Sequence, residues 1–209
     1  RNLDSNFSIG ANFKLINSSL ENYNSFGFGV DVASIYYNPE SKFSTSLIFR
    51  NIGRQLSYYT SSNSEKLPFE IILAFSKQLQ HAPFRFSILF NHLEKWDLSY
   101  EDPLNPTSKT DPLTGEKTTK SEFSKFSDNL LRHTVFGVEF VPSKSFNLRL
   151  GYNYQRRQEM KIESSLSTVG FSWGFGIRVS KFYLSYARVI QHLAGSSNFF
   201  TISTDLNSF

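Results

Sequence analysis

The chain has 209 residues, a formal net charge of +4 and an aromatic content dominated by 22 Phe and 10 Tyr, against a single Met. It contains no cysteine, which excludes disulfide frameworks, thiolate metal sites and cysteine nucleophiles. Basic and acidic residues are interleaved, a pattern that disfavours nucleic-acid binding. No stretch reaches the ~18 consecutive apolar residues of a membrane-spanning helix, because Glu70 interrupts the nearest one, FEIILAF.

Apolar and polar residues alternate along most of the chain, which is the pattern of β-strands with one apolar face. In NFSIGANFKLI, for example, Phe7, Ile9, Ala11, Phe13 and Leu15 share one face. The alternation predicts ten strands, over residues 6–16, 25–32, 42–52, 67–77, 84–92, 133–141, 146–155, 169–179, 181–190 and 198–205. No segment has convincing helical periodicity, so the sequence predicts an all-β fold.

The connections between these strands are predicted to alternate between long and short. NSSLENYN, GRQLSYYTSSNSEK, the segment from Asp97 to Asp128, RRQEMKIESS and QHLAGSS lie at one end, and NPES, LQHAP, PSKS and SK at the other. An antiparallel up-and-down meander with long loops at one end and tight turns at the other is the layout of outer-membrane β-barrels. This layout predicts extracellular long loops and a periplasmic C-terminus.

The face opposite the apolar one is mostly Ser, Gly, Asn and Gln, which favours the polar lumen of a membrane barrel over the charged surface of a soluble barrel. Arg50 and Glu70 fall near the long-loop end of neighbouring strands. Arg85 and Glu139 fall near the tight-turn end of the next sequential pair. We predict a cross-strand ion pair inside the lumen from each couple; unpaired surface charges are the alternative.

Aromatic and basic side chains gather at the predicted long-loop rim. Arg132 and Arg188 interrupt the apolar face there, where an arginine can extend to lipid headgroups. The predicted aromatic girdle consists of Tyr58, Tyr59, Trp96, Tyr100, Tyr152 and Tyr154. The last residue, Phe209, ends an amphipathic strand and resembles the signal that the outer-membrane assembly machinery reads. Together these features favour a transmembrane barrel.

Three segments go beyond generic barrel character: LPFEIILAFSKQLQHAPFRFSILFNHLEKWDLSYED, GYNYQRRQEM and TVGFSWGFGIRVSKFYLSYARVIQHLAGSSNFFTIST. They resemble the PorV/PorQ family, which are FadL-like outer-membrane barrels of the type IX secretion system of Bacteroidetes. The resemblance extends from about Phe26 to the end of the chain. It implies about fourteen strands, of which residues 1–209 supply the last ten as one barrel domain that lacks the N-terminal strands. A ten-stranded barrel fits the pattern alone.

The resemblance also implies a non-enzymatic role in protein secretion. The PorQ-like subunit would be the membrane anchor of a cell-surface attachment complex with PorU, PorV and PorZ. In that complex PorU trims secreted cargo and links it to anionic lipopolysaccharide, and the anchor holds PorZ at the surface. The alternative is a FadL-like transport channel for hydrophobic compounds, which requires an apolar pocket or a lateral opening.

No catalytic, metal or cofactor constellation is apparent. His81 and His133 fall on strand margins, His92 continues a strand and His192 lies in a predicted loop, and no Asp or Glu stands at a recognisable spacing from any of them. The long loop is the best candidate for binding partners, because loops of this length are often functional. The residues predicted to make contact are Trp96, Tyr100, Asp102, Lys109, Asp111, Lys117 and Lys120; a solvated loop without a partner is the alternative.

Overall fold

The computed structural model describes residues 5–21, 23–59, 66–99, 109–110, 117–118, 121–160, 168–192 and 195–204. Ten long strands form one antiparallel sheet in which the strand order follows the chain. The predicted all-β, up-and-down arrangement is therefore confirmed, whereas closure of the sheet into a barrel stays a prediction. The chain divides into two compact units, Arg1–Glu94 and Lys95–Phe209, called here the N-terminal and the C-terminal unit.

The N-terminal unit is a meander of five strands. They are β1 (Phe7–Leu20), β2 (Tyr23–Asn38), β3 (Phe43–Ser57), β4 (Glu70–Gln78) and β5 (Phe84–Phe90). Each pairs antiparallel with the next, and β4 begins where Glu70 pairs with Arg50 of β3. Residues 51–57 of β3 therefore extend beyond β4. The part of β2 that pairs with them, and the part of β1 that pairs with β2 there, extend beyond β4 as well.

The C-terminal unit contains two helices and the remaining strands. The long strands are β8 (Thr134–Ser143), β9 (Phe146–Asn153), β10 (Phe171–Val179), β11 (Phe182–His192) and β12 (Gly195–Thr204). The helices are α1 (Glu122–His133), before β8, and α2 (Tyr154–Met160), directly after β9. A separate two-stranded ribbon consists of β6 (Lys109–Thr110) and β7 (Lys117–Thr118).

The helices correct the expectation that the chain has none. Helix α1 begins at a good N-cap, because the Ser121 hydroxyl accepts a hydrogen bond from the Ser124 N–H at 3.3 Å. Phe123, Phe126 and Leu130 recur at helical spacing along it. No helix in the described part of the chain is long and apolar enough to cross a bilayer.

Two connections are shorter than the sequence suggested. Strand β1 continues to Leu20 and β2 starts at Tyr23, so residues 21–22 replace the predicted loop NSSLENYN. Strand β11 continues to His192 and β12 starts at Gly195, so residues 193–194 replace QHLAGSS, and His192 is a strand residue. In both places polar residues continue the backbone pairing, which does not require an apolar side chain.

Candidate functional site

Each unit has one apolar face that no protein layer covers in the described residues. In the N-terminal unit Phe13 pairs with Val30, and Phe49 pairs with Ile71. Exposure on this side reaches 75% for Phe13. The apolar face of the C-terminal unit is built the same way from β8–β12, with Leu150 65% and Phe200 69% exposed. Among the described apolar side chains, only Ile72 and Val169 are buried.

The opposite side of the sheet, the polar face, carries paired charges. In the N-terminal unit Lys14 forms an ion pair with Asp31 at 2.6 Å and also donates to Asn51 Oδ1 at 3.0 Å. Asn51 has a positive φ of 56° and bulges out of β3, so that its N–H donates to Asp31 and its side-chain amide donates to the Pro68 carbonyl. This network joins three strands to the segment that precedes β4.

The predicted pair of Arg50 and Glu70 is present in the structure. The two residues are direct cross-strand partners, and Arg50 Nη1 lies 3.2 Å from Glu70 Oε2. Arg85, from the second predicted pair, donates to Gln78 Oε1 at 3.1 Å within the N-terminal unit. Its predicted pairing with Glu139 would join the two units and stays a prediction, as does the lumen that these charges would line.

Glu139 belongs to a second network on the polar face of the C-terminal unit. Arg149 Nε donates to Glu139 Oε1 at 2.8 Å, and Arg149 Nη2 donates to the Tyr183 hydroxyl at 3.0 Å. Asn147 donates to the same hydroxyl at 3.1 Å. The tyrosine ring reaches these partners by lying across the backbone of Gly176, where a larger residue would collide with it.

His92 has two carboxylate neighbours that the sequence did not indicate. Its Nδ1 lies 3.1 Å from Glu94 Oε1 and its Nε2 lies 3.8 Å from Glu70 Oε1. A positive φ of 55° at His92 turns the chain back toward β4, where Ile71 donates to Glu94 Oε2 at 2.9 Å. Burial alone would raise the pKa of Glu94, but hydrogen bonds from Ile71, from its own N–H and from His92 outweigh it and lower that pKa.

Trp96 and His133 connect the start of the long loop to the end of α1. His133 is fully buried, its ring lies 5.4 Å from the Trp96 ring, and its Nε2 is 2.9 Å from the Trp96 carbonyl oxygen. The Phe126 ring also packs against the indole, with ring centroids 5.4 Å apart. Just beyond, Asp97 accepts from the hydroxyl and the N–H of Ser99, and these bonds lower the pKa of Asp97. The environment of His133 is that of a packed structural histidine.

The predicted rim residues separate into two groups. Tyr152 and Arg188 lie on the apolar face toward the long-loop end of β9 and β11. Arg132 was predicted on that face, but it is a residue of α1 and pairs with Asp128 at 2.8 Å, because the strand starts only at Thr134. Tyr154 is the first residue of α2 and donates to Asp128 at 2.9 Å; burial and this bond raise the pKa of Tyr154.

Most of the predicted partner-binding residues lie outside the described part of the chain. Trp96 is described and is about half exposed. For Lys109 and Lys117 only the backbone strands are described. The other four lie outside the described residues: Tyr100, Asp102, Asp111 and Lys120. Phe209, the predicted assembly signal, also lies outside them. Partner contact by this loop stays a prediction.

No protein-family model matches the chain, and no curated protein matches it either. Within the described residues no group of three or more His, Asp or Glu side chains is placed to hold a metal ion. Hydrogen bonds of Glu94 with Ile71 and with His92 join β4 to the chain after β5, and Glu70 lies beside this junction. The chemistry that the described side chains offer is that of two surfaces, one apolar and exposed, the other polar and paired.

Proposed function

We propose that the chain is the membrane-embedded part of an outer-membrane β-barrel. The observation that carries this proposal is the exposed apolar face of the sheet opposite a polar face of ion pairs. Water penalises such an apolar surface by about 25 cal/mol for each Å², whereas the hydrocarbon of a bilayer does not. Strands β8, β10, β11 and β12, with 10, 9, 11 and 10 residues, have about the length that spans a bilayer when tilted.

Strands β1 and β12 stand first and last in the strand order, so each would need a further partner for the sheet to close. A transmembrane sheet needs to close, because unpaired backbone groups are costly in lipid. The family resemblance supports closure through further strands that precede this segment, in a barrel of about fourteen. The long β1–β3 end would then project from the membrane on the side of the long loops.

Within that barrel class, we propose a non-enzymatic component of the type IX secretion system. It would anchor the attachment complex of PorU, PorV and PorZ, which processes secreted cargo and links it to lipopolysaccharide. The support is the resemblance to the PorV/PorQ family, together with helices α1 and α2, which both lie at the same end of the strands of the C-terminal unit. A FadL-like channel is disfavoured by the charged polar face, because a hydrophobic substrate gains nothing from paired Arg and Glu side chains.

Membrane embedding can be tested with the two tryptophans. Trp173 lies on the apolar face of β10, and Trp96 lies in the chain that follows β5. A Trp96→Phe variant of the full-length protein, in vesicles whose acyl chains carry bromine close to the headgroup, is expected to lose much of its Trp173 fluorescence. The matched Trp173→Phe variant, which retains Trp96, should be quenched less. Equal, weak quenching of both would contradict embedding of the apolar face.

The anchor role is tested by isolating the native full-length protein from outer membranes in mild detergent. Large surface proteins should co-elute in fixed stoichiometry, and deletion of residues 102–124 should release them. Substitutions in the β8–β9 turn at the opposite end, Lys144→Gln and Ser145→Ala, are the control and should leave the complex intact. A lone barrel with extractable fatty acid would instead indicate transport.

A further inference from the structure

The apolar face of the C-terminal unit contains one isolated cation, Arg188. It lies on β11 between Trp173 of β10 and Asn198 of β12, which are its direct cross-strand partners. No Asp or Glu lies on the apolar face of β8–β12 among the described residues. On the polar face of the same strands Arg149 is paired with Glu139 at 2.8 Å. Arg188 is thus an arginine on an apolar surface that carries no carboxylate among the described residues.

Polar and aromatic groups surround Arg188 on this face. Tyr186 precedes it on the same side of β11 and donates its hydroxyl proton to Asn198 Oδ1 at 2.8 Å. The Trp173 ring packs against the Tyr186 ring with centroids 5.5 Å apart. With its oxygen occupied by Tyr186, Asn198 presents its NH₂ group as the donor next to the guanidinium. The arrangement therefore offers hydrogen-bond donors to an acceptor that approaches from outside the sheet.

The position of Arg188 along β11 places its guanidinium nearer to the level of lipid headgroups than to the acyl chains. On β10, Phe171 begins the strand at the long-loop end, and Trp173 is the next residue on the apolar face. A step of two residues along a strand is about 7 Å, which an extended arginine side chain can cover. Trp and Tyr are also enriched at this level of a membrane, between acyl chains and water.

We propose that Arg188, Asn198, Tyr186 and Trp173 form a binding site for the phosphate of an anionic lipid in the leaflet on the long-loop side. The site rests on the proposed membrane embedding. The planar guanidinium can donate two parallel hydrogen bonds to phosphate oxygens, and Asn198 adds a third donor. The aromatic pair would pack against the upper part of the acyl chains. Charge complementarity selects the ligand, because a lone cation on this face favours an anionic partner over a zwitterionic one.

The test uses the full-length protein in nanodiscs of phosphatidylcholine, with phosphatidylglycerol added as the anionic probe. Native mass spectrometry of the released protein measures retained phosphatidylglycerol. We expect Arg188→Gln to weaken its retention about tenfold, since a charge-assisted hydrogen bond contributes about 1.5 kcal/mol or more. Asn198→Leu should weaken it less, and Arg188→Lys should restore part of it. Arg178→Gln is the control, because Arg178 lies on the polar face, 5.7 Å above the Tyr183 ring.

The outcomes separate this site from the proposed function. If the wild-type protein inserts into nanodiscs but Arg188→Gln and Asn198→Leu retain as much phosphatidylglycerol as Arg178→Gln, the headgroup site is wrong and the embedding stands. Equal retention of phosphatidylcholine and phosphatidylglycerol by the wild-type protein would also overturn the site. Failure of the folded wild-type protein to enter any nanodisc would overturn the embedding, and the site with it.

Discussion

Replacing Gly176 with alanine is expected to destabilise the C-terminal unit, because the Tyr183 ring lies against the Gly176 backbone. A methyl group at this position would lie 2.7 Å from Tyr183 Cζ and 2.8 Å from Asn147 Oδ1. Non-bonded carbon atoms prefer separations of about 3.5 Å or more. Since the phenol ring is rigid, it has to rotate away as a whole to make room.

That rotation removes the hydrogen bonds that the Tyr183 hydroxyl accepts from Arg149 and Asn147, at 3.0 and 3.1 Å. A neutral hydrogen bond contributes about 0.5–1.5 kcal/mol, and one from a charged group about 1.5–3 kcal/mol. The Arg149 side chain is 51% exposed, so water replaces part of its bond. If the ring instead stays in place, overpacking costs about 1–3 kcal/mol. Either response gives an expected loss of about 1–3 kcal/mol.

The assay is equilibrium unfolding in urea, with the full-length protein in phospholipid vesicles and tryptophan emission as the signal. Gly176→Ala should unfold at a lower urea concentration than the wild-type protein with an unchanged slope. Gly10→Ala is the matched control, because no atom lies within 4 Å of the position that its methyl group would occupy. It should change stability by less than about 0.5 kcal/mol.

A double-mutant cycle identifies Tyr183 as the cause. Tyr183→Ser removes the ring, so Gly176→Ala should cost much less in that background than in the wild-type protein. The reasoning would be refuted if Gly176→Ala unfolds like Gly10→Ala. It would also be refuted if the two changes are additive, because the cost would then arise from the backbone of β10 and not from the ring.

Two further predictions concern the turn after β5 and the end of α1. Acid should loosen the turn, because the pKa of Glu94 is lower in the folded chain than its ordinary value of 4.5. The stabilisation from ionised Glu94 is therefore fully present above pH 4.5 and is lost as the pH falls through the lower folded pKa. Amide exchange at Ile71 against pH measures this, and Glu94→Gln should abolish the dependence. His133→Ala should expose the Trp96 indole, because the buried His133 ring covers it. In a Trp173→Phe background this exposure should shift the tryptophan emission to the red. An unshifted spectrum would contradict this packing.

The strands could be predicted because apolar and polar residues alternate along their whole length, one set on each face of the sheet. All ten predicted strands correspond to observed ones. The same rule produced the error at Arg132. Alternation read backward from β8 places this residue on the apolar face, but the strand begins at Thr134, and α1 occupies the preceding residues. The amphipathic segment EFSKFSDNLLRH after Ser121 carried the helical signal.

The contacts of His92 could not be read from the sequence, because they depend on a backbone conformation and a register. Glu70 reaches His92 from another strand, and Glu94 does so only because φ at His92 is positive. Non-glycine residues rarely adopt this conformation, and no local pattern marked it. Arg50 and Glu70 were paired correctly because both lie on the polar face toward the long-loop end of neighbouring antiparallel strands, where the register makes them direct partners.

The distribution of charge between the two faces is informative beyond the alternation itself. On the described apolar face of β1–β5 the charged residues are Arg54 and Lys77, both cations, while the polar face pairs Lys14 with Asp31 and Arg50 with Glu70. A water-facing surface gains from mixing both signs. A surface that meets anionic headgroups gains from excluding carboxylates and keeping cations near its edges. Arg54 lies beyond the start of β4, and Lys77 lies at the other end of that strand, where it donates to the Ser41 carbonyl. The cations of this face thus stand at its two edges and leave the middle apolar, which is the arrangement that a bilayer with charged surfaces would favour.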